Sequence, residues 1–182
     1  MPASLKTPQE VVEFWREAGP SRRFRKDDAF DRDFRDRFLH EHEAAARGDL
    51  NAWSATAEGA LALCILLDQF PRNAFRGSAR MFATDERARD VARRAVHARL
   101  DEQVDPALRQ FFNLPFMHSE DLRDQDFAVE LASRSGSDSE KWAALHRDII
   151  ARFGRFPHRN ALLGRATAAA EQKFLDEGGF GG

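Results

Sequence analysis

Apolar residues recur at helical spacing in one segment after another, and no stretch alternates apolar and polar residues as a strand does. Thr7-Pro8-Gln9-Glu10 reads as a capping box with proline at the first helical position. Val11, Phe14, Trp15 and Ala18 then share one face, and Gly19-Pro20 predicts a stop. The basic run Arg22-Arg23-Phe24-Arg25-Lys26 follows as a loop. Asp27 or Asp28 caps a second helix, whose buried stripe is Phe30, Phe34 and Phe38, and Gly48 ends it. From about Thr56 to Phe70 the chain is apolar on nearly all sides, which marks a central helix. Pro71 is expected to end that helix, because proline lacks an N–H and its ring clashes with the preceding turn.

Farther along, Thr84 is the expected cap of a helix with the stripe Ala88, Val91, Ala92, Ala95, Val96 and Leu100. A short helix carrying Leu108, Phe111 and Phe112 is expected to end before Pro115. Ser119 is the expected cap of a helix reaching about Leu131, and Ser137-Asp138-Ser139-Glu140 reads as a second capping box. Trp142, Leu145, Ile149, Ile150, Phe153 and Phe156 then form the strongest amphipathic stripe of the chain. Thr167 opens a last helix, and residues 178–182 read as a flexible Gly-rich tail. The sum is an all-α fold, a single domain over residues 1–182 of about seven to eight antiparallel paired helices.

Composition narrows the function classes. The 182 residues are 42% hydrophobic and 32% charged, as in an ordinary globular domain. A formal charge of −2 gives no overall drive toward nucleic acid or an anionic membrane, so neither is expected as a partner. No run approaches the roughly 20 apolar residues of a membrane span. The sole cysteine, Cys64, lies inside an apolar run, which suits a reducing cytoplasm and makes a poor nucleophile. No phosphate loop, nucleophile elbow or His-Glu-x-x-His is present, and no cofactor or resident metal is expected.

Chemistry-bearing residues gather at three places. Arg155, His158, Arg159 and Asn160 follow the long helix at a Phe-Pro corner, where they would bind a carboxylate or phosphate, or else cap the helix end. Asp68, Arg72 and Asn73 stand at the earlier corner Phe70-Pro71, with a structural ion-pair network as the plainer reading. His118-Ser119-Glu120-Asp121 places a histidine beside carboxylates. It supplies weak catalytic candidates, His118 or the later His158 as general base with Glu120 orienting it, against a simple helix cap. His40-Glu41-His42-Glu43 has the wrong spacing for a shared metal and reads as a solvated face. His146 reads as a satisfied histidine at the edge of the core.

These motifs also carry a resemblance. Leu66-Leu67-Asp68-Gln69-Phe70-Pro71-Arg72-Asn73, Leu114-Pro115-Phe116-x-His118-Ser119-Glu120-Asp121-Leu122 and Arg152-Phe153-Gly154-Arg155-Phe156-Pro157-His158-Arg159-Asn160-x-x-Leu163-Gly164-Arg165 resemble the signatures of a widespread bacterial family, the domain of unknown function 924. Phe14-Trp15, Lys26-Asp27-x-Ala29-Phe30-Asp31 and Trp53 match as well. The resemblance implies an all-helical, tetratricopeptide-repeat-like fold and no established activity. One departure stands at Ala166-Thr167-Ala168-Ala169-Ala170-Glu171, where the family's cap is lost and the last helix start is expected to be less sharply fixed. The two Phe-Pro corners are expected to share one polar region with His118. Three functional expectations follow: a binding module for an anionic small molecule or peptide, a structural or interaction protein whose polar corner is a clasp, and a hydrolase-like enzyme.

Overall fold

Glu10 N–H donates to the Thr7 hydroxyl at 3.3 Å while the Glu10 carboxylate takes the Thr7 N–H at 2.7 Å, so helix α1 (Pro8–Arg23) starts at the expected box. The computed structural model describes residues 5–134 and 139–181, and among them every regular element is helical. Two compact units are present: Met1–Arg76 with Arg80–Pro115, and Gly77–Ala79 with Phe116–Gly182. None of the described helices is long and apolar enough to cross a membrane.

In the first unit, Gly19 breaks α1 at φ 64° and ψ 169°, but Pro20 opens another helical turn instead of a loop. That turn brings Arg23 back to donate to the Trp15 and Arg16 carbonyls at 2.7 and 2.8 Å, serving oxygens the break leaves open. Arg23 is therefore buried and is not part of a solvated basic loop. Helix α2 (Asp28–Arg47) is capped by Asp27 and ended by Gly48, as its sequence predicts. Its Phe30, Phe34 and Phe38 rings meet Phe14 at 5.5, 5.2 and 5.2 Å. Glu41 and His42 are buried, contrary to the solvated-face reading. Glu41 accepts the Lys6 N–H at 2.8 Å, and His42 Nδ1 donates to the Leu66 carbonyl at 2.8 Å.

The central helix does not stop at Pro71. Helix α3 (Ala57–Cys64) passes through a π-helical turn, Ile65–Gln69, into α4 (Phe70–Ala74). The Phe70 N–H reaches the Ile65 carbonyl, five residues back. The widened turn relieves the proline clash that would end an α-helix here. From Ala60 to Leu67 the side chains are fully enclosed, with α1 and α5 (Asp85–His97) packed on α3. Thr84 stands at the start of α5 without capping it, because its hydroxyl donates to the Leu67 carbonyl at 2.5 Å.

Proline is tolerated a second time. Helix α6 (Gln110–Met117) runs through Pro115 instead of ending before it, and the division between the units falls at this residue. In the second unit, α7 (Leu122–Ser133) is capped by Asp121, not Ser119. Ser119 is buried and donates to Asp124 at 2.7 Å. The predicted box at Ser137–Glu140 falls partly outside the described residues, and α8 runs from Ser139 to Phe153. Its buried face is Ala143, His146, Ile149 and Ile150, while Trp142 and Leu145 are exposed. The first half of the stripe is thus turned by one position and carries a histidine inward, while Ile149, Ile150 and Phe156 are buried as expected. Helix α9 (Ala169–Asp176) follows, and the segment after it brings Phe180 onto the cluster of Ile149, Ile150 and Phe156.

Candidate functional site

The earlier corner closes on its own unit. Arg72 donates to both Asp85 oxygens at 2.8 and 3.0 Å and lies 3.1 Å from Asp68. Burial disfavours the guanidinium charge, but Asp68 and Asp85 outweigh it and raise the Arg72 pKa. Asn73 donates to Asp31 at 2.7 Å, and Arg76 takes the other Asp31 oxygen at 2.9 Å. Gln69 donates to Asp68 at 2.5 Å. Asp68, Arg72 and Asn73 thus form an internal lattice around the π turn. Cys64, one turn earlier, is fully buried, and burial with nearby Asp68 pushes its thiol pKa well up.

The later corner belongs to the second unit and is framed by two carboxylates. Glu120 accepts the Phe156 N–H at 2.8 Å and binds Arg165 through both oxygens at 2.7 and 3.0 Å. Burial opposes its ionisation, but the Arg165 and Phe156 hydrogen bonds prevail and lower its pKa. Glu171 accepts from Arg155 at 2.6 and 2.8 Å, from Asn160 at 3.2 Å and from the Ala168 N–H at 2.7 Å. The Arg155 bonds come first among the causes that hold its pKa at about 2. The Ala168 bond also supplies half a capping box, so α9 keeps a defined start although no hydroxyl caps it. Asn160 accepts from Arg165 at 3.0 Å, which ties the two carboxylate groups together.

Three histidines gather inside this frame. His118 lies in the bend after α6, His158 in the short 3-10 turn Pro157–Arg159, and His146 on α8. The His118 and His146 ring centres are 6.4 Å apart. His146 and His158 both contact Phe156, at 5.5 and 5.6 Å. Arg159 donates to the His118 carbonyl at 2.9 Å, and its guanidinium lies over Phe156 at 4.5 Å. His146 is 6% exposed, and neither ring nitrogen completes a hydrogen bond of normal geometry. Burial first, and the positive influence of His118, Arg159 and His158 after it, pull its pKa down to about 3 despite the nearby Met117 carbonyl. His146 is neutral at ordinary pH.

Of the expected binding residues, Arg155 and Asn160 belong to the frame, whereas His118, His158 and Arg159 border the histidine cluster. Both Glu120 oxygens are engaged by Arg165 and Phe156. His146, Arg165 and Glu171 were missed as site residues. The signal for His146 was its place three residues before Ile149 and four before Ile150, on the same helix face. Among the described residues no group of three or more His, Cys, Asp or Glu is arranged to hold a metal ion. A concavity of about 440 Å³ elsewhere is lined by Ser21, Arg22, Arg25, Lys26 and Asp27, the outer part of the basic run.

Fold and site together define an all-helical protein with a carboxylate-framed histidine corner. The family model described as bacterial protein of unknown function (DUF924) matches residues 11–179, and the chain belongs to that family. A solved structure, that of the protein of unknown function ATU0120 from Agrobacterium tumefaciens, is 49% identical, with a TM-score of 0.91 over 93% of this chain and 97% of that one. No curated protein matches the chain.

Proposed function

We propose that the protein is a binding module whose ligand is a small anion, and that the anion enters the second unit at His118, His146, His158 and Arg159. The observation that carries this reading is His146. The Met117 carbonyl stands near its ring, yet neither nitrogen makes a hydrogen bond of normal geometry, and a buried polar atom left so costs about 1–3 kcal/mol. Its surroundings compound the cost, because His118, His158 and Arg159 all disfavour protonation of the ring. A carboxylate or phosphate oxygen reverses both conditions at once. It accepts from the imidazole and turns the positive surroundings from a penalty into an attraction.

The ion pairs favour a second role for the remaining arginines and asparagines. Arg72 and Asn73 in one unit, and Arg155 and Asn160 in the other, are clasps that hold helix ends. An acid–base enzyme needs a carboxylate to orient its histidine, and the engagement of Glu120 by Arg165 and Phe156 argues against that role. The reading places the protein in a reducing cytoplasm, in keeping with its single buried thiol, and keeps the tetratricopeptide-like helix arrangement suggested by the resemblance.

Titration with inorganic phosphate by calorimetry tests it. Once the protonation of phosphate itself is allowed for, binding should strengthen as pH falls from 8 to 6, because the anion favours protonated imidazoles, and His158→Ala should abolish it. No heat at pH 6, or binding indifferent to both histidine substitution and pH, ends the proposal.

A further inference from the structure

The segment after α9 is built to deliver one aromatic ring to the histidines. Gly178 adopts φ 80°, and its N–H donates to the Leu175 carbonyl at 3.1 Å. The Gly179 N–H donates to the Phe174 carbonyl at 2.9 Å. A Cβ on Gly179 would stand 2.5 Å from that carbonyl oxygen and 2.6 Å from the Phe174 ring, so only glycine passes here. Phe180 then meets His146 at 4.6 Å, His158 at 5.2 Å and Phe156 at 6.5 Å. The His158 contact is nearly perpendicular, at 83°. Phe180 fills the space with a flat ring but brings no acceptor to the His146 nitrogens.

We propose that Phe180 is an internal stand-in for the ligand, and that the molecule displacing it carries a flat aromatic ring bearing a carboxylate or phosphate. This rests on the anion-binding reading above and adds the ring. A planar ring already packs between His146 and His158, so the space suits one. The hydrogen bond of normal geometry that the His146 ring lacks is one that an anionic substituent on such a ring supplies. The two backbone hydrogen bonds tie the turn to α9, and the Phe180 ring, packed on His146, His158 and Phe156, is what a ligand would displace. While it is docked, it competes with the ligand and lowers the apparent affinity by the fraction of time the site is open.

Benzoate is the probe, with acetate as its ringless counterpart and inorganic phosphate as the test of the anion site alone. Phe180→Ala should bind benzoate about tenfold tighter than the parent, the effect of removing an occupant that closes the site about nine-tenths of the time. Acetate affinity should change much less. Gly179→Val should act in the same direction, because its side chain blocks docking while Phe180 itself is kept. Circular dichroism checks that each variant is folded. Benzoate binding that is unchanged or weaker in both variants overturns the inference and makes Phe180 a wall. If phosphate binds with the expected pH dependence in that case, the anion reading stands alone. If neither phosphate nor benzoate binds any form, both fall.

Discussion

The Thr84 hydroxyl donates to the Leu67 carbonyl at 2.5 Å, from the start of one helix to the middle of another. An N–H at position 71 would reach Leu67 by four-residue spacing or Leu66 by five-residue spacing, and Pro71 has none. Thr84 serves the first carbonyl and His42 the second. The buried helix thus continues through a proline because two distant side chains replace the donor it lacks. Thr84→Val, which keeps the shape and removes the hydroxyl, should cost about 1–3 kcal/mol in urea unfolding, whereas Thr84→Ser should recover most of it. Equal losses in the two variants would show that packing alone matters there.

Acid should destabilise the protein in two windows of different origin. His146 has its pKa depressed from 6.5 to about 3, so the unfolded chain binds the extra proton. Its contribution is complete above about pH 6.5 and is lost as pH falls toward 3, with a slope of up to about 1.4 kcal/mol per unit. His42 is depressed in the same direction, chiefly by burial. Glu171, held at about 2, adds stability above its unfolded value of 4.5 that disappears as pH falls through 2. In His146→Leu the slope of stability between pH 6.5 and 4.5 should flatten, and denaturant curves at several pH values measure it. An unchanged slope would mean that His146 is not the group responsible.

The clasp and the proposed site should separate under mutation. Arg72→Ala leaves Asp68 and Asp85 without their shared cation in a buried place, at a cost of about 3–5 kcal/mol. It should leave phosphate affinity unchanged wherever the protein remains folded. His158→Ala should do the reverse, with little loss of stability and loss of phosphate binding. A thermal-shift series with and without phosphate compares the two directly.

Glu171→Gln should loosen the frame of the second unit. The carboxylate holds Arg155, Asn160 and the Ala168 N–H together, and an amide satisfies only part of that set. A loss of about 1–2 kcal/mol is expected, because the Arg155 side chain is partly open to water. Double substitution with Arg155→Ala should cost less than the sum of the single losses, because the two residues share one interaction.

Much of the local grammar was legible. The Thr7 box, the Asp27 cap, the Gly48 stop and the Phe30, Phe34 and Phe38 stripe each depend on residues within a few positions of one another. The errors have one cause. Pro71 and Pro115 read as stops under local rules, yet both are carried within helices. At Pro71, the π turn and the Leu66 and Leu67 carbonyls' distant donors show how. Thr84 read as a cap, yet its hydroxyl serves a carbonyl 17 positions away. Glu120 read as a helix-start carboxylate, yet it pairs with Arg165, 45 positions on. His146 read as a core-edge residue and is one, but nothing near it in the chain shows that its ring makes no hydrogen bond of normal geometry.

The π turn has a consequence for how the chain can change length. It is equivalent to one extra residue wound into an α-helix. Deleting any one of residues 65–69 would restore regular winding and leave the side chains after it facing nearly as before, because the wide turn already absorbs the extra residue. Pro71 would then meet the carbonyl four residues back, the clash that the widened turn relieves. A deletion before Pro71 should therefore be tolerated only where the proline is replaced as well, because the residue count of this segment sets the room its ring occupies.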